Sequence, residues 1–365
     1  MTDSIAEELK GWIIVNARFL TQKITGIQRC AIEISKRLKK SNLKIKFLAP
    51  SNIIYKDLKE LLEVENLGSL TGYLWEQIEL PKYLRSKGKP LLVNLANTAP
   101  LFYKNNIVVI HDLAFLRNPG WFSKEFYYYC KFLIPKIARK ALKIIVVSEF
   151  TKREVIKLLG IPESKIEVIY NAVSESFLEK SKKDYKNEYG NYILAVSSLD
   201  PRKNFKNLIL AFNKLNLGNA NLVIAGSGDR IFANKEIKNL ISTNPNIIFT
   251  GYAGDEKLVG LYKNAKLFVY PSFYEGFGLP PLEAMSCGCP VVTSNVASLP
   301  EVCGEAAYYV NPQSIDDIAR GIFNVLKDEN LRKLLIEKGF RRIKIFSWED
   351  SVNKYLKIIQ DNKII

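Results

Sequence analysis

The sequence predicts an α/β protein built from two doubly wound domains, and three observations support this class. Its 365 residues are enough for two domains of ordinary size. Hydrophobic residues make up 47% and charged residues 25% of the chain, which is typical of a soluble globular protein. Short β-branched runs alternate with segments of helical period in the first half, and the same pattern starts again in the second half.

The first half contains the elements of the first predicted domain. Strands are predicted over residues 12–15, 91–93, 107–110 and 144–147, and a helix over residues 27–38. Continuous apolar runs of this kind are typical of parallel strands that helices cover on both faces.

The second half repeats the arrangement. Its predicted strands are the apolar runs 192–196, 222–225, 247–249, 267–270 and 290–293, and a helix is predicted over 207–215. Residues 174–191 are polar and rich in lysine, so we expect a connector there rather than a core element. Helical spacing after residue 346 predicts a final helix, with Ser347 as its N-cap.

Several classes of protein are excluded by simple counts. No run of about 18 apolar residues is present, and the first ten residues contain Asp3, Glu7 and Glu8 instead of a basic start and an apolar stretch. We therefore expect neither secretion nor a transmembrane anchor. The five cysteines are odd in number and lack C-x-x-C spacing, so we expect no disulfide framework and no zinc site. A cytoplasmic location fits these features.

The net charge of +16 is concentrated in the first half of the chain. Residues 1–174 contain 28 basic and 16 acidic side chains. This half is therefore expected to attract anionic partners, which include lipid headgroups, phosphorylated small molecules and nucleic acid. The charge alone does not choose among them.

His111 is the only histidine of the chain, and it directly follows the predicted strand 107–110. The end of a parallel strand lies at the carboxyl edge of the sheet, where doubly wound folds bind their ligands. A neutral imidazole there is suited to hydrogen-bond a substrate. The alternative is a histidine satisfied by Asp112 or by a backbone carbonyl, and the position does not decide between the two.

The segment from Glu275 to Glu283 follows the predicted strand 267–270 after a short turn. Its two glycines let the backbone come close to a ligand, and its two prolines predict a helix start, whose N–H groups and dipole favour an anion such as a diphosphate. The two glutamates then flank the anion and can accept hydrogen bonds from sugar hydroxyls. The alternative is that they only stabilise the dipole of the helix.

Arg202 and Lys203 follow the predicted strand 192–196 through a proline turn. A guanidinium and an ammonium at this edge would neutralise a leaving diphosphate, with charge-assisted hydrogen bonds of about 1.5–3 kcal/mol each. The alternative is a solvated basic pair. The predicted strand 222–225 is followed by Gly226 and Gly228, which match the first two glycines of the dinucleotide-binding pattern G-x-G-x-x-G. Ile231 stands in place of the third glycine, so the pattern is incomplete.

Gly26 lies in the segment Thr25-Gly26-Ile27-Gln28-Arg29, between the first predicted strand and the first predicted helix. A glycine there lets the helix N-terminus approach a ligand, although an ordinary helix start has the same pattern. The sequence contains no D-x-D motif, no Walker P-loop, no G-x-S-x-G elbow and no zinc spacing. We therefore expect no metal and no other cofactor.

Together, these segments closely resemble family 4 retaining glycosyltransferases over nearly the whole chain. In the second half the shared motifs are E-x7-E at Glu275 and Glu283, Pro-Arg-Lys-Asn at 201–204, Ala-Gly-x-Gly at 225–228 and Phe-Thr-Gly-Tyr at 249–252. In the first half they are T-G-I-Q-R at 25–29, H-D-L at 111–113, V-S-E-F-T at 147–151 and I-Y-N-A-V at 169–173. Within the family, the chain is most similar to bacterial mannosyltransferases of O-antigen and capsule assembly.

This resemblance implies the GT-B fold, in which two Rossmann-like doubly wound domains face each other across a cleft. It implies an N-terminal acceptor-binding domain over residues 1–174 and a nucleotide-sugar-binding domain over residues 175–345. Residues 346–365 would form a helix that crosses back to the first domain.

The resemblance also implies roles for the site residues. His111 and Glu275 are the expected catalytic residues, and His111 contacts the donor sugar near its anomeric centre. The expected donor-binding residues are Gly26, Arg202, Lys203, Gly226, Gly276, Phe277, Gly278, Leu279 and Glu283. Of these, Glu283 holds the nucleotide ribose, and Arg202 and Lys203 bind the diphosphate. Many relatives carry an arginine where this chain has Ser198, and we infer that Arg202 supplies the missing guanidinium.

The implied function is a retaining, metal-independent hexosyltransferase that moves mannose from GDP-mannose to a growing, lipid-diphosphate-linked cell-surface glycan. A UDP- or dTDP-sugar donor is the alternative within the same chemistry, because no residue identifies the base or the hexose. The alternatives outside enzymes are a basic nucleic-acid-binding protein and a catalytically silent sugar-nucleotide-binding subunit. No recognised nucleic-acid motif accompanies the charge, so we expect no specific nucleic acid partner.

The basic first half then predicts a membrane partner. Lys136, Arg139, Lys140 and Lys143 are expected on one face of a helix, directly after the aromatic run 126–129. We expect this face to dock on the anionic inner surface of the cytoplasmic membrane, which would make the enzyme peripheral. The alternative is an ordinary solvated helix.

Overall fold

The computed structural model describes residue 9 and residues 11–198, 200–226 and 235–362. The chain divides into two compact units, each built on one parallel sheet. Unit 1 extends to Asn171 and also takes in the chain from Trp348, while unit 2 comprises Ala172–Ser347. The predicted α/β class is confirmed.

Unit 1 contains a parallel sheet of seven strands and the helices that connect them. Its strands are β1 (Ile13–Asn16), β2 (Ile45–Ala49), β3 (Glu65–Asn66), β4 (Leu91–Asn94), β5 (Asn106–Ile110), β6 (Lys143–Val146) and β7 (Ile166–Val168). Its helices up to Asn171 are α1 (Gly26–Lys39), α2 (Lys56–Leu61), α3 (Gly72–Leu74), α4 (Leu80–Ser86), α5 (Ala114–Arg117), α6 (Lys124–Lys140) and α7 (Glu149–Leu159). The strand order is β3-β2-β1-β4-β5-β6-β7. A π-helix, Trp75–Glu79, joins α3 to α4.

Unit 2 contains a parallel sheet of six strands. Its strands are β8 (Tyr192–Val196), β9 (Asn221–Ala225), β10 (Ile247–Gly251), β11 (Leu267–Tyr270), β12 (Val291–Ser294) and β13 (Ala307–Val310). Its helices are α8 (Glu175–Lys180), α9 (Phe205–Leu215), α10 (Lys235–Ser242), α11 (Asp255–Asn264), α12 (Leu279–Ser286), α13 (Leu299–Cys303), α14 (Ile315–Lys327) and α15 (Glu329–Ile343). The strand order is β10-β9-β8-β11-β12-β13.

The last helix, α16 (Trp348–Asn362), belongs to unit 1. The hydroxyl of Ser351 donates a 2.7 Å hydrogen bond to the carbonyl of Tyr170. The carboxylate of Glu349 accepts a 3.0 Å hydrogen bond from Arg37 on α1. Tyr355 and Ile359 are buried on its inner face. The helix that the spacing predicts after residue 346 is therefore present.

The central strands of each sheet, whose ends form its carboxyl edge, are buried on both faces. All residues of β1, β4, β5, β8 and β11 are buried, as expected for parallel strands covered on both faces. The strands predicted in both halves are confirmed to within two residues at each end. Strands β2, β3, β7 and β13 were not predicted, because their short runs are mixed with polar or half-buried residues.

Three local predictions are wrong. The expected connector at 174–191 begins with helix α8, whose Phe177 is buried against Tyr262 at 6.1 Å between ring centroids, because one large aromatic is enough to anchor a polar helix. The aromatic run 126–129 lies inside α6 rather than before it, since Ser123 caps the helix by accepting from the N–H of Phe126. Lys143 starts strand β6 and therefore does not share the helix face with Lys136.

Candidate active site

The turn after β8 is held rigidly by its own polar residues. A single 3-10 turn, Pro201–Lys203, begins where the Asp200 carboxylate accepts a 3.0 Å hydrogen bond from the N–H of Arg202. Asn204 follows in the left-handed region at φ 61°, and its amide donates to the carbonyls of Pro271 (2.9 Å) and Pro312 (2.7 Å). This anchoring fixes the direction in which Lys203 leaves the backbone.

Lys203 and Glu275 form a buried ion pair at the carboxyl edge of the unit 2 sheet. The Lys203 Nζ lies 2.6 Å from Glu275 Oε1 and donates a second hydrogen bond, of 2.9 Å, to the hydroxyl of Tyr270. Both charged side chains are 8% exposed. Burial lowers the pKa of Lys203, and Glu275 opposes that shift. Burial alone would raise the pKa of Glu275, but the positive charges of Lys203 and Arg202 reverse the sign and lower it.

The backbone of the glycine-bearing loop is clamped by one serine. The hydroxyl of Ser298 donates to the carbonyls of Glu275 (2.9 Å) and Phe277 (2.7 Å). Gly278 is the N-cap of α12 at φ 106°, a conformation that side chains with a Cβ rarely adopt. The conformation of the loop therefore leads directly into the N-terminus of α12, as expected from its two glycines. Leu279 is the first residue of that helix.

Glu283 lies on α12 and is buried. One of its carboxylate oxygens accepts a 3.4 Å hydrogen bond from the hydroxyl of Tyr262, and its charge helps to raise the pKa of that hydroxyl well above the ordinary value, after burial itself. A glutamate that only stabilised the helix dipole would have no need to be buried, so its burial favours a binding role.

Arg202 takes a different position from Lys203. Its Nε lies 3.6 Å from a carboxylate oxygen of Asp200, and its carbonyl accepts a 2.8 Å hydrogen bond from the N–H of Phe273. The side chain is half-buried, whereas Ser198, the position at which the resemblance implies an arginine, is exposed. A guanidinium is therefore present at this edge in spite of the serine.

Gly226 is required by the packing of the strand exits. Its N–H donates a 2.9 Å hydrogen bond to the carbonyl of Gly251, and a Cβ at this position would lie 1.7 Å from the carbonyl oxygen of Ser197. The backbones that follow β8 and β9 are thus in close contact. Gly228 and Ile231, which also entered the sequence argument, lie outside the described residues.

In unit 1, His111 follows β5 and is buried. Its Nε2 lies 2.8 Å from the carbonyl oxygen of Leu95, so Nε2 carries the proton and Nδ1 is a hydrogen-bond acceptor. Burial lowers the pKa of the imidazole, which favours the neutral form. A backbone carbonyl is thus one partner, as the alternative interpretation expects, but the second ring nitrogen can still accept a hydrogen bond from a ligand hydroxyl.

Gly26 starts helix α1 in a complete capping box. The hydroxyl of Thr25 and the side chain of Gln28 each satisfy a backbone N–H of the first turn. Gly26 itself is exposed, so its backbone can be approached from solvent. In the described part of the chain, no group of three or more His, Cys, Asp and Glu side chains is arranged to hold a metal ion.

Two contributors to the site were missed by the sequence analysis. Tyr270 is the last residue of β11 and hydrogen-bonds Lys203, and Ser298 precedes α13 and clamps the loop at Glu275. Tyr270 could have been found, because the end of a predicted strand lies at the same edge as Lys203. Ser298 carried no signal, since its two partners are 21 and 23 residues away in sequence.

Solved structures share this arrangement of two parallel sheets. Sucrose-phosphate synthase from Thermosynechococcus elongatus superposes with a TM-score of 0.75 over 96% of this chain and 98% of that chain, at 18% sequence identity. The fold is GT-B, as the resemblance implied.

Family models match both units. The model described as glycosyl transferases group 1 matches residues 176–342, and the model described as glycosyltransferase family 4 matches residues 24–177. The chain therefore belongs to the family 4, group 1 glycosyltransferases. The prediction of a hexosyltransferase is confirmed at the level of enzyme class.

Two relatives from Escherichia coli show the extent of the likeness. O-antigen chain mannosyltransferase B is 30% identical over 365 residues, which cover 91% of this chain and 96% of that protein. The serotype-specific mannosyltransferase WbdA is 32% identical over 283 residues, but the match covers only 34% of that longer protein.

Among the helices that the structure describes, none has the length and apolar character to cross a membrane.

Proposed function

We propose that this chain is a retaining, metal-independent mannosyltransferase that uses GDP-mannose and extends a lipid-linked cell-surface glycan. The observation that carries the proposal is the buried ion pair between Lys203 and Glu275 at the carboxyl edge of the unit 2 sheet. The mannosyltransferase names of the two relatives support the choice of sugar, and their link to O-antigen chains supports the choice of acceptor class.

The ion pair keeps an ammonium in a place where water is largely excluded. A diphosphate that enters there gains from Lys203 and from the half-buried Arg202, because charge-assisted hydrogen bonds are strong in a low dielectric. The charge that develops on the leaving phosphate is then stabilised by groups already in position. Glu275, which Lys203 holds ionised, is free to accept hydrogen bonds from hydroxyls of the donor sugar.

The remaining residues bind the other parts of the donor. In this proposal Glu283 accepts hydrogen bonds from the ribose, and the loop from Gly276 to Leu279 surrounds the sugar with backbone groups. His111 contacts the sugar near its anomeric centre through its accepting nitrogen, and Gly26 allows close approach of the α1 N-terminus. The acceptor oxygen bonds to the anomeric carbon as the bond from that carbon to the GDP oxygen breaks, and the leaving phosphate takes the proton of the acceptor hydroxyl, so no enzyme nucleophile takes part. Lys203 and Arg202 balance the charge of the leaving diphosphate, which a metal ion would otherwise do.

Donor binding tests this proposal. We expect the protein to bind GDP-mannose, and to hydrolyse it slowly without acceptor, in the presence of EDTA. Glu283→Ala should weaken donor binding by about 10- to 100-fold, because it removes charge-assisted hydrogen bonds to the ribose. Isothermal titration with GDP-mannose, UDP-glucose, UDP-N-acetylglucosamine and dTDP-rhamnose measures both the choice of donor and the effect of the substitution.

The matched control is Glu337→Ala, since this glutamate is exposed on α15 in the same unit. It should leave donor binding unchanged. Tight binding of UDP-glucose instead of GDP-mannose would show that the chemistry is right and the donor wrong. Binding that disappears with EDTA would contradict the metal-independent mechanism.

We also propose that unit 1 docks on an anionic membrane. Helix α6 exposes Tyr128 (64%) and Phe132 (58%), and the Lys136 ammonium lies 3.2 Å from the centroid of the Phe132 ring. Phe102, which is also exposed, has the Lys140 ammonium 4.9 Å from its ring centroid. Aromatic rings next to lysines are typical of surfaces that insert at the headgroup level of anionic bilayers.

The membrane proposal predicts that Phe132→Ala/Lys136→Glu reduces binding to vesicles. Each lysine near an anionic surface contributes about 1 kcal/mol, so reversing one charge and removing one ring should weaken binding at least 10-fold. Co-sedimentation with phosphatidylglycerol-containing and pure phosphatidylcholine vesicles measures this. Phe323→Ala/Lys327→Glu is the control, because it alters a similar exposed pair in unit 2. Equal sedimentation with both vesicle types would contradict the proposal.

A further inference from the structure

The segment that follows strand β4 makes a turn against the end of strand β5, its neighbour in the unit 1 sheet. In this turn Asn97 donates its backbone N–H to the carbonyl of Val109, at 3.0 Å. His111 follows β5 directly, two residues after Val109. The turn is therefore bonded to the sheet at the place where the chain continues into the histidine.

Asn97 has an uncommon backbone conformation for a residue with a side chain. Its φ is 60°, in the left-handed region, which Asn and Asp adopt more readily than other residues that carry a Cβ. In this conformation its side-chain oxygen accepts a 2.7 Å hydrogen bond from the backbone N–H of His111. The position thus combines a left-handed backbone with a short side-chain acceptor, and asparagine supplies both.

The same turn also binds the imidazole ring of His111. The carbonyl oxygen of Leu95 lies 2.8 Å from the ring nitrogen Nε2. Because a carbonyl can only accept, this contact places the ring proton on Nε2 and leaves Nδ1 as an acceptor. The backbone and the ring of the histidine are therefore both bound by residues 95–97, and the geometry of that short segment sets the direction of the ring.

A buried ion pair anchors the turn at its other end. The hydroxyl of Thr98 accepts a 2.8 Å hydrogen bond from Arg18 and donates one of 3.1 Å to Glu76. The Nε of Arg18 lies 3.2 Å from Glu76 Oε1, and the two side chains are 8% and 1% exposed. Breaking such a pair would leave a buried charge without its partner, which is strongly unfavourable. The turn that carries Asn97 is therefore rigidly held.

The bond from His111 to Asn97 is the shorter of two side-chain contacts to the backbone of the histidine. On the other side, the hydroxyl of Thr151 on α7 donates to the carbonyl of His111, at 3.4 Å. A bond of that length is weak, whereas 2.7 Å is at the short end of the usual range for N–H donors. We therefore expect Asn97 to contribute more than Thr151 to the placement of the imidazole.

We propose that Asn97 is a positioning residue of the transfer reaction, which holds the imidazole of His111 with Nε2 bound to Leu95 and Nδ1 available to the donor sugar. Asn97 acts through the histidine and does not itself contact the substrate. Without its side-chain oxygen, the N–H of His111 loses its partner, and the ring loses its alignment with the Leu95 carbonyl. The inference rests on the proposed function, because only that proposal gives His111 a contact with the donor.

The test uses the full chain and exploits the single histidine, since every imidazole signal belongs to His111. NMR with isotopically labelled histidine, without donor, measures how fast the Nε2 proton exchanges with water. Asn97→Gly tolerates the left-handed φ but lacks the acceptor. We expect its Nε2 proton to exchange about 3- to 10-fold faster, as for the loss of one hydrogen bond. Asn97→Asp, which keeps an acceptor, should exchange as slowly as the unaltered protein.

Turnover provides the second readout. In Asn97→Gly we expect kcat for GDP-mannose hydrolysis to fall roughly 3- to 10-fold with KM nearly unchanged, because the alignment of a group is lost and the donor contacts are kept. A residue that only stabilised the fold would not split kcat from KM in this way. Asn97→Asp should restore most of the turnover.

The matched control is Asn216→Gly, which makes the same change at another left-handed asparagine. Asn216 has a φ of 43° and is exposed at the end of α9 in unit 2, so its substitution should alter neither readout. The proposal is overturned if Asn97→Gly exchanges its Nε2 proton, or hydrolyses GDP-mannose, at the rate of the unaltered protein. If the unaltered protein does not use GDP-mannose, the proposed function fails, and the imidazole readout still decides whether Asn97 holds the ring.

Discussion

Replacing Lys203 with methionine is expected to lower the free energy of unfolding by about 3–5 kcal/mol and to reduce donor turnover by two to three orders of magnitude. The stability loss follows because Glu275 would remain buried without the ammonium that balances its charge. The loss of turnover follows from the role that we propose for Lys203, because the ammonium that would stabilise the leaving diphosphate is gone, and removal of one such group typically costs about 100- to 1,000-fold. Urea unfolding and GDP-mannose hydrolysis measure the two effects.

A second substitution separates the two effects. Lys203→Met combined with Glu275→Leu removes both charges, so it should regain most of the lost stability and remain inactive. Lys214→Met serves as the control, because Lys214 pairs with Asp316 on the surface of the same unit, where both side chains are more than half exposed. Exposed pairs contribute at most about 1 kcal/mol. A Lys203→Met variant as stable as this control would contradict the buried-pair account.

Gly226→Ala is expected to have the largest effect of any glycine-to-alanine substitution among the described residues of unit 2. The new Cβ would lie 1.7 Å from the Ser197 carbonyl oxygen, and both groups belong to backbone that cannot rotate away. The strand exits of β8 and β9 must separate, which should cost about 3 kcal/mol or more. Since the turn that carries Lys203 follows β8 directly, donor binding should fall as well.

The control for this prediction is Gly254→Ala. Gly254 has an ordinary φ of −70°, and no atom lies within 4 Å of a Cβ placed there. As an N-cap, it should lose at most about 1 kcal/mol on substitution by alanine. If urea unfolding gave equal midpoints for both variants, the close contact at Gly226 would not exist in solution.

The sheets were predictable because their central strands are locally distinctive. The run Ile107 to Ile110 is apolar at every position, which is typical of a parallel strand that is buried on both faces. Strand β13 reads Ala-Tyr-Tyr-Val and is half-buried in the middle, so no local pattern distinguishes it from a loop. Helix α8 was missed for a related reason, since only one of its residues, Phe177, contributes to a core.

The candidate site was predictable where chemistry follows directly after a strand, as for His111 and Lys203. The clamp made by Ser298 was not predictable, because the two carbonyls that it binds are 21 and 23 residues away in sequence. Only three-dimensional contacts reveal such a partner.

The division of the chain has a consequence for biosynthesis. Unit 1 is assembled from two stretches, and the whole of unit 2 lies between them in sequence. As the ribosome delivers the chain from its N-terminus, unit 2 is complete in sequence before α16 is made. The surface of unit 1 at Tyr170, where Ser351 binds, must therefore wait for the last helix. Unit 2 can finish folding first, although its residues are made later than most of unit 1.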